Sequence, residues 1–140
     1  LKRTKETAMY LSNNKHKVIE KKCLDEIDAG LYDSLTYDDI KERYPEDYEM
    51  RKNDKLNYRY PRGESYKDLI LRVEKIIMDI ESSNSPILII AHQAIIRVIY
   101  SYFMNIKNKE MPELEVPLHC IIELTPQSHN FKEKRTHLSL

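Results

Sequence analysis

The chain has 140 residues, about one domain's worth, and 41% of them are hydrophobic, enough for one core. Lys and Arg together number 23, as do Asp and Glu, so the net charge is zero. That argues against a general nucleic-acid binder and requires a local cluster of bases to hold any anionic ligand. No apolar run reaches the roughly 18 residues of a membrane span, and no signal-peptide pattern opens the chain. Cys23 and Cys120 form neither a disulfide framework nor a CxxC site. The expectation is a reduced, cytoplasmic protein with structural cysteines and neither membrane nor nucleic-acid partners.

In chain order, LKRTKETAMYL reads as a helix, with Ala8 and Leu11 apolar at a spacing of three. SNNKHK is a polar loop. KVIEKKCLDEIDAGLYD has no helical period, and Gly30 marks a turn in it. Thr36, with Asp39 three residues on, starts a helix through Ile40 and Tyr44, which Pro45 breaks or restarts. The stretch MRKNDKLNYRYPRGESY is a polar middle. Ser65, with Asp68, caps an amphipathic helix carrying Leu69, Val73, Ile76, Ile77 and Ile80 on one stripe. SSNSP ends it, and Pro86 opens the strand ILIIA. The helix QAIIRVIYSYFM follows, then a surface connection, NIKNKEMPELE. Pro117 to Leu124 reads as a strand, and KRTHLSL as a short last one. This alternation predicts an α/β domain with a mainly parallel sheet, and a strand apolar at every position must be covered on both faces.

His92 and Gln93 stand just past the carboxyl end of ILIIA, where open α/β sheets bind their ligands. The next helix begins there and offers free N–H groups and partial positive charge. Arg97, one turn on, can reach back toward the same mouth. A histidine, an amide, a helix N-terminus and an arginine together make a phosphate site. On pattern alone, a half-buried histidine beside a snorkelling arginine would look the same.

Three other stretches add weight. Lys2 and Arg3 oppose the dipole at a helix start, which suits ligand contacts better than helix stability. Asp25, Glu26 and Asp28 precede the Gly30 turn, where a carboxyl group could serve as general acid. Arg51 and Lys55 lie four apart with Tyr58, Tyr60 and Tyr66 close by, and such bases and hydroxyls bind phosphoryl oxygens. Taken singly, each stretch could equally be a solvated face, a soluble loop or an exposed turn.

LKRTKETA, LDEIDAGLYDSLTYDDI, ERYPEDYEMRKNDK, YRYPRGESYKDLILRVE, ILIIAHQAIIR and PLHCIIELTP occur in this order. Together they resemble the bisphosphatase domain of the bifunctional 6-phosphofructo-2-kinase/fructose-2,6-bisphosphatase family. That family lies within the histidine phosphatase, phosphoglycerate mutase-like superfamily. The resemblance implies a three-layer α/β domain over residues 1–140. It implies hydrolysis of fructose 2,6-bisphosphate to fructose 6-phosphate and phosphate through a phosphohistidine, in the control of glycolysis and gluconeogenesis. It also implies an upstream ATP-binding kinase domain in the parent protein and a homodimer, with no cofactor and no metal. By the same resemblance His92 is the second active-site histidine, Glu26 the general acid and Arg3 a ligand of the reacting phosphoryl group. Tyr37, Arg51, Lys55, Tyr66, Gln93 and Arg97 would hold the substrate, chiefly its 6-phosphate.

One element of the family departs. Its first strand ends in Arg-His-Gly, whose histidine is the nucleophile, and these 140 residues contain no such triplet. His16, His119, His129 and His137 do not replace it. The strand would lie upstream of Leu1, so the chain reads as a partial domain, inactive alone and short of strand pairing at its site. Two alternatives stand beside this reading. One is a broad histidine phosphatase or phosphoglycerate mutase, and the other a non-catalytic sugar-phosphate-binding module.

Overall fold

Both sequence capping boxes form. The Thr36 hydroxyl accepts from the Asp39 amide and the Asp39 carboxylate accepts from the Thr36 amide, starting a helix at Tyr37–Arg43 (α2). Ser65 and Asp68 do the same for Tyr66–Glu81 (α4). Each box satisfies two N–H groups that a helix start leaves unpaired. The computed structural model describes residues 1–12 and 16–139. The central residues of the expected SNNKHK loop lie outside that description.

The remaining helices are Lys2–Leu11 (α1), Pro45–Asn53 (α3) and Gln93–Phe103 (α5). Pro45 restarts the chain as the first residue of α3, where its missing N–H costs nothing. The polar middle is therefore helical as far as Asn53. α3 buries no residue, which is why no apolar period announces it.

The core lies between α4 and α5. Leu69, Val73 and Ile77 from α4 meet Ile95, Val98 and Ile99 from α5, with Met111 closing the cluster. Leu69, Val73 and Ile95 are wholly buried, and each such side chain contributes about 1.5–3 kcal/mol. A smaller cluster joins Tyr32, Ile40 and Tyr60 under α2.

The mixed order of helices and strands is the expected one, and the sheet among the described residues is small. Among the described residues the paired strands are Cys120–Pro126 (β1) and Phe131–His137 (β2), an antiparallel hairpin with Ile122 opposite Arg135. β1 begins three residues later than expected, because His119 turns the chain at φ 53°. Residues 86–91, which include the expected strand ILIIA, make no backbone hydrogen bond among the described residues. Ile87 and Leu88 are 49% and 63% exposed. The apolar run is what a covered parallel strand requires, but no described segment pairs with it.

The chain's two glycines meet. Gly30 has φ +54°, and a Cβ on it would lie 2.1 Å from the Pro61 oxygen. A Cβ on Gly63 would lie 2.3 Å from the Asp28 oxygen. The 25–31 loop and the 60–64 loop thus cross at backbone distance. The Glu64 amide donates to the Asp28 oxygen (2.8 Å) and the Leu31 amide to the Pro61 oxygen (2.9 Å). Glu26 lies within the first of these two loops.

Candidate active site

His92 is the N-cap residue of α5, in extended conformation, and is 4% exposed. Its side chain does not cap the helix. Its Nδ1 lies 3.0 Å from an Nη atom of Arg3 on α1. A guanidinium can only donate, so Nδ1 accepts and the proton of the neutral ring sits on Nε2. Burial lowers the His92 pKa below 6.5, with the Arg3 charge adding to this and the Glu26 charge opposing it. His92 is therefore a neutral imidazole with an Nε2–H donor.

Beside it, a cavity is lined by Glu26, Ile27, Tyr37, Arg51, Lys55, Tyr58, Tyr60, Tyr66, Gln93, Ala94 and Arg97. Its cations are held in place. Arg97 donates through Nε to the Leu114 oxygen (2.8 Å) and through Nη1 to the Tyr66 hydroxyl (3.0 Å). Arg51 donates to the Tyr37 hydroxyl (3.0 Å), its guanidinium 4.6 Å from the centre of that ring. Lys55 pairs with Glu113 at 2.7 Å, but the Glu113 side chain is 65% exposed, so a bound anion can replace it. The Gln93 amide donates to the Val116 oxygen (3.0 Å).

Burial raises the Tyr58 and Tyr66 hydroxyl pKa values and pushes that of Tyr60 up to about 12. In Tyr66 and Tyr60 a nearby arginine opposes the rise. All three remain neutral O–H donors at neutral pH.

Glu26 lies where this cavity meets a second cleft, lined among others by Arg3, Asp25, Asp28 and Asp33. Its Oε1 accepts from the Ile27 amide (2.9 Å). Seven of the nine predicted site residues thus line one cavity, and the other two, Arg3 and His92, bond to each other. Tyr58 and Tyr60 line it as well; the sequence grouped their hydroxyls with Arg51 and Lys55 as phosphoryl-binding groups, though the family resemblance gave them no individual role. The other four histidines are exposed and line neither cavity nor cleft. Among the described residues, no group of three or more His, Cys, Asp or Glu is placed to hold a metal ion.

Three fixed cations and four phenol groups around one cavity, with an imidazole donor and a carboxylate at its edge, suit a phosphate ester. Comparison with known proteins is specific. The chain belongs to the histidine phosphatase superfamily (branch 1), whose family profile matches residues 1–138. It is 48% identical over 132 residues to a Saccharomyces cerevisiae protein named fructose-2,6-bisphosphatase. It is 44% identical over 129 residues to a Gallus gallus 6-phosphofructo-2-kinase/fructose-2,6-bisphosphatase. Those alignments cover 94% and 92% of this chain but only 28% and 27% of the relatives, so the chain spans about a quarter of their length. The Shigella flexneri α-ribazole phosphatase has the same fold, with TM-score 0.81 at 21% identity, covering 96% of this chain and 68% of that one.

Proposed function

We propose that this chain supplies the substrate cradle and the proton donor of a fructose-2,6-bisphosphate 2-phosphatase. The observation that carries the reading is the cavity, where Arg51, Lys55 and Arg97 converge with four tyrosines beside Glu26. A sugar 6-phosphate in this cradle would direct the 2-phosphate toward Glu26, Arg3 and His92. The identity to the yeast and chicken proteins supports the choice of sugar.

The chemistry is a two-step phosphoryl transfer. A histidine nitrogen attacks phosphorus, the bond from phosphorus to the sugar O2 breaks, and Glu26 gives its proton to the departing oxygen. Arg3 and the His92 Nε2–H stabilise charge on the phosphoryl oxygens. Glu26, now a carboxylate, takes a proton from the water that cleaves the phosphohistidine and releases phosphate. His92 is not the attacking histidine in this reading, because its Nδ1 is engaged by Arg3 and its Nε2 carries the proton. The nucleophile is a further histidine supplied from outside these residues. The bifunctional name of the chicken relative supports a kinase domain in the parent protein. The homodimer remains part of the proposal.

The test is phosphate release from fructose 2,6-bisphosphate. It compares the 140-residue chain with one extended upstream through the next strand of its gene, and with His92→Ala in the extended chain. Activity in the extended chain alone, lost in His92→Ala, is the expected result. Activity in the short chain would overturn the account of the nucleophile. Binding of fructose 6-phosphate without turnover in either chain would identify a sugar-phosphate sensor on a phosphatase fold. Preference for phosphoglycerates would identify a mutase or broader phosphatase.

A further inference from the structure

Arg72 lies outside the cavity, yet its guanidinium gathers the backbone that carries Glu26. Nη1 donates to the Cys23 oxygen (3.1 Å) and the Asp25 oxygen (2.9 Å). Nη2 donates to the Glu26 oxygen (3.4 Å) and to the Glu64 Oε2 (2.9 Å). The same Glu64 oxygen accepts from the Asp28 amide (2.9 Å). One guanidinium and one carboxylate therefore hold both ends of the 23–28 segment against α4. Arg72 and Glu64 have side chains only 22% and 24% exposed, so water competes weakly for these bonds.

Among the described residues the Glu26 carboxyl has a single hydrogen bond, from the amide of the next residue. Among the described residues no side chain bonds to it, so its place is inherited from its own backbone. The position of Arg72 is unusual as well. It falls three residues after Leu69 and four before Ile76, on the apolar stripe of α4. A charge there is costly unless it is engaged; its two Nη atoms meet four acceptors, while its buried Nε has no hydrogen-bond partner among the described residues.

We propose that Arg72 is a positioning residue that sets the Glu26 carboxyl against the leaving oxygen, with Glu64 as its partner. This rests on the reading of Glu26 as general acid. A carboxyl displaced by about 1 Å loses on the order of 10²-fold in rate. The loss should depend on the leaving group. A sugar oxygen needs the proton, whereas a nitrophenolate leaves without one.

The experiment uses the full protein with Arg72→Lys, Glu64→Gln and Glu26→Gln. Release of the leaving group is followed in a single turnover, from fructose 2,6-bisphosphate and from para-nitrophenyl phosphate. Arg72→Lys should slow the sugar reaction by about 10–100-fold, leave the nitrophenyl reaction within about 3-fold, and change substrate Kd little. Glu64→Gln, which keeps an acceptor for the Asp28 amide, should show the same pattern more weakly. Equal losses on both substrates, or a loss that tracks thermal stability, would make Arg72 a merely structural strut and overturn the proposal. If Glu26→Gln itself shows no leaving-group dependence, the assignment of Glu26 fails, whatever Arg72 does.

Discussion

The two walls of the site are built differently. On the cradle wall, Arg97, Arg51 and Gln93 are tied to Leu114, Tyr66, Tyr37 and Val116. Most of these bonds use side chains that are themselves anchored on α4, α5 or the connection after α5. On the reacting wall, among the described residues, the Glu26 carboxyl has one bond and the His92 ring has one, to an arginine 89 residues away in sequence. The cradle can bind a phosphate with little reordering, which is where affinity is gained. The reacting wall depends on a few long-range contacts, which makes it sensitive to changes that bury or expose little. Binding and chemistry should therefore separate in mutants.

The largest effect is expected at His92. If His92 donates to the phosphoryl oxygens as proposed, His92→Ala in the full protein should lower kcat by about 10²–10³-fold with a smaller change in KM. Steady-state phosphate release checks this. The opposite split is expected across the cavity. Arg97→Ala deletes a charge-assisted donor and frees the Tyr66 hydroxyl, so affinity for fructose 6-phosphate should fall by about 10–100-fold. Calorimetric titration of fructose 6-phosphate reads that loss directly. If Arg97→Ala lowers kcat and leaves affinity intact, the two walls have been assigned the wrong way round.

The same contrast explains what the sequence revealed. The cradle residues come from short stretches in which bases and tyrosines lie close together, so Arg51, Lys55 and Tyr66 were legible. α4 was legible because its cap and its apolar stripe agree. Arg72 lies on that stripe in plain view, yet three of its four partners are carbonyls more than 45 residues away, and no periodicity encodes them. The Arg3–His92 bond is hidden for the same reason. α3 shows in the sequence only as a possible restart at Pro45, because none of its residues is fully buried. ILIIA shows the limit most clearly, since a strand is a relation between two segments and its composition alone cannot supply the second.

The loop crossing behind Glu26 offers a smaller, structural test. Gly30→Ala places a methyl against the Pro61 oxygen and holds a side chain at positive φ, so it should destabilise the chain by roughly 1–3 kcal/mol. Urea unfolding measures this. The reacting wall should suffer first, because the displaced segment carries Glu26. A Gly30→Ala protein with full stability and full activity would show that the crossing does not set the position of Glu26.

The mildest effect is the pH dependence left by His92. Burial holds its pKa below 6.5, with the Arg3 charge acting in the same direction. Above 6.5 the ring is neutral in both folded and unfolded chains, and folding carries no proton penalty. Between 6.5 and the lowered folded value, the unfolded chain binds a proton that the folded chain refuses. Stability should therefore decline as pH drops through that window and level off below it. Urea unfolding from pH 7.5 to 5 should show this decline, and His92→Gln, which cannot titrate, should flatten it. Bound phosphate should act in the opposite sense, since an anion beside Nε2 favours the imidazolium and should raise the His92 titration midpoint seen by NMR. A midpoint unmoved by phosphate would place the anion away from His92 and leave the cradle wall as the sole phosphate site.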